Sequence, residues 1–217
     1  MSDFRVLAAQ ADTSAICDVD KGVRVMSPEL RCRSANPILC GPAVTVRCRE
    51  DFLGVVQAIE VARSGDVLVV DGGGRPTALA GELFARAAMA RGLAGLVVDG
   101  GYRDMGFIAT CELPVYSRLV TPMAGTTQRL GVLNEPVSCG GVTVRPGDLV
   151  IADRDGIVVL DPAGAEACLS AAVALKATEA GIAARLSSGA GLGACVNLAE
   201  HTQRLARGEP STLRFTP

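Results

Sequence analysis

The sequence predicts an α/β fold, and the segment from Gly65 to Gly106 provides the main evidence. Val67–Asp71 is a continuous apolar run of the length and type found in strands that are buried on both faces of a parallel sheet. A helical pattern follows and ends at Arg91-Gly92, with a cation and a glycine where helix C-termini favour them. A second buried strand, Gly95–Asp99, comes next. Together these elements predict a βαβ unit with two parallel strands.

The remaining elements are predicted from caps, periodicity and turn residues. Asp12-Thr13 is expected to cap a helix over 14–19, and alternating polar and apolar residues predict a strand over 40–47. Asp51 opens a helix that ends at Ser64-Gly65, with Val56, Ile59 and Val61-Ala62 near one face. Further strands are expected over 114–117, 141–144, 149–152 and 156–160, and a long alanine-rich helix from about 162 to 186.

The composition is typical of a protein with an aliphatic core, and the distribution of charge argues against nucleic-acid binding. Hydrophobic residues make up 49% of the 217 residues and aromatic residues only 3%, and the net charge is −2. The chain has no basic run and no interleaved aromatic and basic residues, so it is not expected to bind nucleic acid. No linker or repeat divides the sequence, so we expect one domain over 1–217, with a peripheral tail from about residue 188.

The cysteines and the apolar segments indicate a cytoplasmic protein. Eight cysteines are scattered through apolar segments and form no CxxC pair, so we expect buried thiols in a reducing compartment rather than disulfides. The N-terminal MSDFRVLAAQAD has no apolar signal core. No apolar run approaches the roughly 20 residues that a membrane span needs. We therefore expect a cytoplasmic protein that does not contact a membrane.

Two conspicuous features are weak signals of function. Gly72-Gly73-Gly74 suggests a phosphate-binding loop, but its spacing fits neither GxGxxG nor GxxxxGK[ST], and Arg75-Pro76 precedes the helix. The run is expected to serve loop geometry instead. His201 is the only histidine and is expected in an irregular tail as a surface residue. A zinc site with several histidines and a nucleophile activated by histidine are therefore disfavoured.

Two loops at one edge of the predicted sheet carry the stronger signal. Gly81-Glu82 lies near a helix start, where backbone amides lack partners and a residue without a side chain lets a carboxylate approach. Arg103-Asp104 follows the second buried strand. In open α/β sheets, ligands collect at the carboxyl ends of the strands, where both loops lie. Arginine offers a fork for a carboxylate, and aspartate offers oxygen to Mg²⁺ or Mn²⁺.

At this point the sequence resembles a known family. The motifs VLVVDGGG, GEL and GLVVDGGYRD are similar to those of the family that contains 4-hydroxy-4-methyl-2-oxoglutarate aldolases and regulators of ribonuclease activity A, called RraA-like. The step of 22 from Gly81 to Arg103 matches the family's interval between its substrate loop and its Arg-Asp pair. The resemblance continues through PGD and ADRDGIVVL to ARLSSG, over roughly residues 10 to 190, whereas the tail after Gly193 departs from it.

The resemblance implies a fold, an activity and an assembly. It implies a swivelling β/β/α domain with a compact mixed sheet or barrel-like core flanked by helices, in homotrimers or dimers of trimers. The implied activity is that of a class II pyruvate aldolase. Such an enzyme cleaves 4-hydroxy-2-oxo acids, such as 4-hydroxy-4-methyl-2-oxoglutarate, with Mg²⁺ or Mn²⁺ and also decarboxylates oxaloacetate. The partner of the site is thus a small 2-oxo acid.

The resemblance also assigns roles to individual residues. Asp104 would bind the metal partly through waters, Arg103 would hold a substrate carboxylate, and the amides from Gly81 through Leu83 to Phe84 would bind the pyruvyl end. Glu82 matches an acidic position that holds metal-bound water.

Two more acids, Glu179 and Asp18, match residues that reach the site from a neighbouring subunit. As an alternative, both could be carboxylates of helix surfaces.

Two other functions compete with the aldolase. One is a non-catalytic regulator that binds a ribonuclease, and the intact Arg103-Asp104 pair argues against it because a regulator needs no metal ligand there. The other is a methyltransferase, which is the weakest candidate because the sequence offers no convincing cofactor loop with an acidic ribose partner.

Overall fold

The chain folds around one curled mixed sheet with helices packed against it. The computed structural model describes residues 4–216. The helices in this range are α1 Phe4–Ala8, α2 Thr13–Val19, α3 Leu53–Val61, α4 Glu82–Ala90, α5 Met105–Ile108, α6 Pro162–Ser187 and α7 Leu198–Ala206, with a 3₁₀ helix over Leu192–Cys195. The strands are β1 Arg24–Val25, β2 Arg31–Cys32, β3 Leu39–Arg47, β4 Val67–Asp71, β5 Ala78–Ala80, β6 Gly95–Tyr102, β7 Val115–Val120, β8 Val132–Leu133, β9 Val137–Cys139, β10 Val142–Val144, β11 Leu149–Ala152 and β12 Ile157–Leu160.

The centre of the sheet is parallel and contains the predicted βαβ unit. Strands β3, β4, β6 and β7 are adjacent and parallel, and Val67 on β4 stands opposite Gly95 on β6. Every residue of β4 and β6 is buried, as expected of strands covered on both faces. The register places Asp71, the last residue of β4, opposite Asp99, and β6 continues past the predicted end at Asp99 to Tyr102. The sequence-based interpretation of this segment is confirmed.

Antiparallel strands curl the sheet into a half-barrel. β11, β12 and β1 continue the sheet from β3, while β2 closes the other side against β7. A separate hairpin of β9 and β10 packs over one face. A mixed half-barrel flanked by helices is the predicted α/β class, which is thereby confirmed.

Helix α3 lies where the sequence predicts it but buries only part of the predicted face. Val55, Ala58 and Ile59 are buried in the core between this helix and the sheet. Val56 and Val61, which were expected on the same face as Ile59, are exposed. The prediction of the face was right for Ile59 and Ala62 and wrong for Val56 and Val61, because the buried positions 55, 58, 59 and 62 follow the helical i, i+3, i+4, i+7 spacing and the two exposed valines do not. The helix spans Leu53–Val61 and is shorter than predicted at both ends, although the Asp51 carboxylate accepts the Leu53 amide at 3.0 Å.

Helix α6 corrects the expectation about apolar segments. By length and composition alone it could cross a membrane, since its 26 residues include a window with mean hydropathy 1.3. One such helix is weak evidence for a span, and Ala165, Leu169 and Ala172 pack into the core under α1 and α2. Only 17% of that apolar window is buried, so most of its surface is exposed.

The C-terminal tail and the cysteines complete the comparison with expectation. His201 lies in α7, not in irregular chain as predicted, and its Nδ1 is 3.0 Å from the Ser211 hydroxyl. None of the residues of α7 is buried. No disulfide joins cysteines within residues 4–216. Four of the eight cysteines, Cys48, Cys111, Cys139 and Cys195, are buried and the other four are partly exposed, so the expectation of buried thiols holds for half of them.

Candidate active site

The helix start after β5 and the end of β6 are bound to each other. Ala80 on β5 pairs with Tyr102 on β6, and the Arg103 amide donates to the Ala80 carbonyl at 3.1 Å. The Tyr102 hydroxyl donates to the Gly81 carbonyl at 3.2 Å. Burial, and to a lesser extent the nearby Cys111 and Asp104, raises the pKa of Tyr102, so its hydroxyl keeps the proton that it donates. The two predicted loops therefore form one unit.

Asp104 is the centre of this unit. It takes the left-handed conformation, with φ of 62°, which few residues other than glycine adopt and which asparagine and aspartate adopt most readily. Its Oδ2 accepts the backbone amide of Glu82 at 3.0 Å, and Arg103 Nε lies 3.6 Å from the same oxygen. The negative charge is thus held at the N-terminus of α4, where the helix dipole stabilises it.

Gly81 is required by this arrangement. A Cβ atom at position 81 would lie 2.3 Å from Asp104 Oδ2 and 2.9 Å from Arg103 Cγ. The backbone at Gly81 is extended and unstrained, so the requirement comes from the close approach of the Asp104 and Arg103 side chains. The sequence predicted that glycine lets a carboxylate reach these amides, and here the carboxylate is the protein's own.

Several donors remain available beside Asp104. In the first turn of α4 the amides of Leu83 and Phe84 have no acceptor among residues 4–216, as expected at a helix start. The Arg103 side chain is 41% exposed, and Asp104 is its one ion-pair partner in the described chain. A guanidinium fork and helical amides converge here, which suits a ligand carboxylate.

The Glu82 side chain is bound by a residue one turn further along the same helix. Its Oε1 accepts Arg86 Nε at 2.8 Å, and the Arg86 guanidinium lies 4.2 Å above the ring centre of Phe107. The neighbouring side chains differ in exposure. Leu83 is 75% exposed, whereas Phe84 packs edge-on against Phe52. Because the Leu83 and Phe84 side chains lie in different surroundings, the groups that both residues offer beside Asp104 are their backbone amides.

Asp18 and Glu179 lie together in a different place. Both line a groove of about 420 Å³ between α2 and α6, which none of the residues 81–84, 103 or 104 lines. Asp18 pairs with Lys21 at 2.6 Å and Glu179 with Lys176 at 3.2 Å. Hydrogen bonds to Asp12 and Glu179 raise the pKa of Lys176, which keeps it charged. One copy of the chain thus presents two separate groups of the predicted residues.

The donor set at Asp104 fits Mg²⁺ or Mn²⁺ better than a metal that needs many protein ligands. No group of three His, Cys, Asp or Glu side chains within residues 4–216 could enclose an ion. Asp104 Oδ2 is occupied by the Glu82 amide, while Oδ1 has no protein partner in that range. Mg²⁺ is commonly held by one or two carboxylates, with water and substrate oxygen completing the shell.

Two residues of this unit were missed by sequence reasoning. Tyr102 fixes Gly81, and Arg86 fixes Glu82. Arg86 could have been found, because a glutamate followed four residues later by arginine in a helix predicts an ion pair. Tyr102 gave no such signal, since its partner depends on the pairing of β5 with β6, and β5 was not predicted.

Comparison with known proteins settles the family. The RraA-like model, described as Aldolase/RraA, matches residues 13–159, which is more than half of the chain. The chain belongs to the Aldolase/RraA family. The matched span contains Gly81, Arg103 and Asp104, but it ends before Glu179.

Two relatives of this chain carry different kinds of name. A protein of Halalkalibacterium halodurans, provisionally named 4-hydroxy-4-methyl-2-oxoglutarate aldolase, is 37% identical over 76% of this chain and 79% of its own. The structure of the RNA-processing inhibitor RraA from Thermus thermophilis is similar with a TM-score of 0.65 and 31% identity, over 69% of this chain and 92% of that one.

A third relative supports the fold over a longer span. Streptomyces coelicolor RraAS2, described as an unusual member of the RNase ES inhibitor RraA family, matches with a TM-score of 0.72 and 28% identity. That match covers 82% of this chain and 94% of the other. The Aldolase/RraA family therefore includes proteins named as lyases and proteins named as inhibitors of RNA processing.

Proposed function

We propose that this chain is a class II pyruvate aldolase that cleaves 4-hydroxy-2-oxo acids, such as 4-hydroxy-4-methyl-2-oxoglutarate, and decarboxylates oxaloacetate. The observation that carries the proposal is the Asp104 carboxylate, held on the Glu82 amide at 3.0 Å beside the Arg103 guanidinium. An aspartate held in a left-handed conformation at a helix N-terminus is a backbone feature of the kind that clusters at functional sites, which supports the proposal.

Binding of the 2-oxo acid follows from the donors of the site. Arg103 binds a substrate carboxylate through its fork, and the amides of Leu83 and Phe84 bind oxygens of the pyruvyl end. Asp104 holds Mg²⁺ or Mn²⁺, which when bound supplies Lewis-acid stabilisation of the charge that develops on the 2-oxo oxygen. These contacts orient the C3–C4 bond and place its electron pair next to positive charge.

The aldol cleavage needs one proton acceptor. As the C3–C4 bond breaks, its electron pair moves into the pyruvyl fragment as an enolate and the 4-hydroxyl becomes a carbonyl. Glu82, or Glu179 from a neighbouring copy, accepts the 4-hydroxyl proton directly or through water. Protonation of the enolate at C3 then completes pyruvate. Oxaloacetate loses CO₂ to give the same enolate without this acceptor, so decarboxylation is the less demanding activity.

Metal dependence tests the proposal on the unmodified protein. Protein treated with chelator and desalted is expected to release pyruvate from oxaloacetate only at the background rate. Added Mg²⁺ or Mn²⁺ should restore the rate with saturation, because a single carboxylate and water make a dissociable site. A lactate dehydrogenase coupled assay measures the pyruvate, and metal in buffer without protein corrects for uncatalysed decarboxylation. Full activity in the chelated protein would contradict the proposal.

The assembly completes the site in this proposal. Asp18 and Glu179 lie away from Asp104 within one copy, and α6, which carries Glu179, exposes most of an apolar window. An exposed apolar surface of this extent is a common feature of subunit interfaces. We infer a homotrimer or a dimer of trimers in the cytoplasm, with Glu179 and Asp18 of one copy reaching the Asp104 unit of the next.

Mixed assemblies test the shared site. Where Glu179 of a neighbouring copy is the proton acceptor, Asp104→Asn and Glu179→Gln copies are each expected to be nearly inactive in aldol cleavage. Trimers assembled from an equal mixture should then regain about a quarter of the wild-type aldolase rate, because one site in four pairs an intact Asp104 with an intact Glu179. Lys176 keeps Asp12 as a partner at 2.7 Å, so Glu179→Gln should leave α6 folded.

The control for this experiment is an equal mixture of the same two variants, purified separately and combined without refolding. No recovery in co-assembled trimers, with both variants folded, would place each site within a single copy.

A non-catalytic regulator that binds a ribonuclease is the second candidate, and the names of the Thermus and Streptomyces relatives favour it. Pull-down with a ribonuclease assembly separates the two functions. A regulator would bind the ribonuclease even in chelator and would release no pyruvate when Mg²⁺ or Mn²⁺ is present. The proposed aldolase would not bind the ribonuclease and would release pyruvate once the metal is added.

A further inference from the structure

A second concave surface, here called the arginine cleft, lies beside the carboxyl end of β4 and Asp99 within β6. Its volume is about 790 Å³, within the range of small-molecule sites. None of the residues 81–84, 103 or 104 lines it, and neither does Asp18 or Glu179. Its lining is Glu29, Arg31, Arg33, Arg49, Asp71, Gly73, Gly74, Asp99, Arg118, Leu119 and Ser138.

One wall of the arginine cleft carries positive charge that no carboxylate neutralises. Arg31 and Arg33 lie two residues apart around β2, on the same side of the strand. Neither forms an ion pair with any Asp or Glu in residues 4–216, and Arg31 makes no side-chain hydrogen bond in that range. Burial is the main cause that lowers the pKa of Arg33, and the neighbouring charge of Arg31 lowers it further.

The Arg33 guanidinium is nonetheless firmly positioned. Its Nε donates to the Ser117 hydroxyl at 3.0 Å, and one terminal nitrogen donates to the carbonyls of Ser117 and Arg118 at 2.9 and 3.0 Å. The other terminal nitrogen has no acceptor in the described chain. A guanidinium fixed by three protein acceptors with a nitrogen to spare is preorganised for an anion.

The floor of the arginine cleft is formed by two buried carboxylates. Asp71 and Asp99 are register neighbours on β4 and β6. Asp99 is fully engaged, by Arg118 Nε at 2.5 Å and by the Gly140 amide at 2.7 Å. Asp71 accepts the Gly73 amide at 3.0 Å through Oδ1, while Arg49 stands 3.9 Å from its Oδ2. Asp71 Oδ2 can therefore accept a further hydrogen bond, such as one from a ligand hydroxyl.

The remaining lining excludes nucleotides. The Gly73 amide is used by Asp71 and the Gly74 amide by the Asp99 carbonyl, so the glycine run offers no ring of amides to a phosphate chain. No aromatic side chain lines the cleft, so a base would have nothing to stack on. An oxyanion held by arginine and a hydroxyl held by aspartate are the interactions that remain.

We propose that the arginine cleft binds a small hydroxylated anion, a sugar acid or a sugar phosphate. Its carboxylate or phosphate lies between Arg31 and Arg33, and one of its hydroxyls donates to Asp71. The cleft is separate from the Asp104 unit, so this binding does not depend on the proposed aldolase activity.

Calorimetric titration of the whole protein with gluconate, glucose 6-phosphate, glucose and inorganic phosphate tests this site. We expect gluconate or glucose 6-phosphate to bind, and the one that binds identifies the anionic group. Arg31→Gln should weaken that binding about tenfold or more, since it removes a charge-assisted contact. Arg31 makes no side-chain contact that the fold needs, so thermal unfolding should be unchanged.

Two matched variants complete the test. Arg207→Gln, which removes an exposed arginine at the end of α7, and Asp104→Asn should both bind as the wild type does. The site is overturned if neither sugar anion binds, if Arg31→Gln binds unchanged, or if Asp104→Asn loses binding. It is also overturned if inorganic phosphate binds as tightly as glucose 6-phosphate, because the hydroxyl contact then contributes nothing.

Discussion

Asp104→Asn is expected to lower kcat/KM for oxaloacetate decarboxylation on the order of 10²- to 10³-fold, the range seen when one group that stabilises developing charge is removed. The asparagine oxygen can still accept the Glu82 amide, which Asp104 Oδ2 accepts at 3.0 Å, so the loop should keep its shape. What is lost is the negative charge that holds the metal. Steady-state pyruvate release over a range of Mn²⁺ concentrations measures the effect.

Metal binding by this variant gives a readout that is independent of turnover. Titration of Mn²⁺ followed by electron paramagnetic resonance should show weaker binding in Asp104→Asn than in wild type. Glu112→Gln is the matched control, because it removes an exposed carboxylate whose side chain has no partner in residues 4–216. Wild-type activity and Mn²⁺ affinity in Asp104→Asn would remove Asp104 from the metal site and with it the main support for the aldolase.

The parts of the fold that local chemistry determines were predictable from the sequence. The apolar runs over 67–71 and 95–99 predicted β4 and the first five residues of β6, and both strands are buried along their whole length. Asp12 was predicted to cap α2, and its side chain accepts the Ala15 amide at 2.7 Å. Arg91-Gly92 was predicted to end α4, and Gly92 has φ of 72° there. Each of these signals lies within a few residues of the element that it defines.

Features that depend on distant pairing were not predictable in this way. In the arginine cleft, Arg33 contacts Ser117, which is 84 residues away in the sequence. The antiparallel pairing of β2 with β7 brings the two residues together. β2 has only two residues and β5 only three, too few for a period to emerge from the sequence. The positions of Asp18 and Glu179 depend on the packing of α2 against α6. The residue types could be read from the sequence, but the residues that contact them in the fold could not.

Within the candidate site, too, some contacts could be predicted from the sequence and others could not. Gly81 and Arg103-Asp104 were predicted to meet because both follow elements of one βαβ unit, and they do meet. The sequence did not reveal that Asp104 itself occupies the Glu82 amide. Because of this contact, the position of the Asp104 carboxylate depends on the loop at Gly81. A substitution at Gly81 should therefore move the Asp104 carboxylate although residue 104 itself is unchanged.

Gly81→Ala tests this dependence and is expected to lower kcat/KM for pyruvate release by about 10²-fold, because displacement of about 1 Å in a catalytic group can cost that much. The new methyl group would lie 2.3 Å from Asp104 Oδ2, so the carboxylate must move and its hydrogen bond to the Glu82 amide is lost. Alanine tolerates the extended backbone at this position, so the fold should survive. Pyruvate release and thermal unfolding, measured on the same preparation, separate the two effects.

Gly106→Ala is the matched control for this change. It also adds one methyl group close to the site, in α5 two residues after Asp104, but its Cβ would meet no atom within 4 Å. It should therefore retain wild-type activity and unfold at the same temperature or slightly above it, since alanine is the better helix former. If Gly81→Ala were as active as Gly106→Ala, Asp104 would not need its contact with the Glu82 amide, and the metal ligand would be independent of the start of α4.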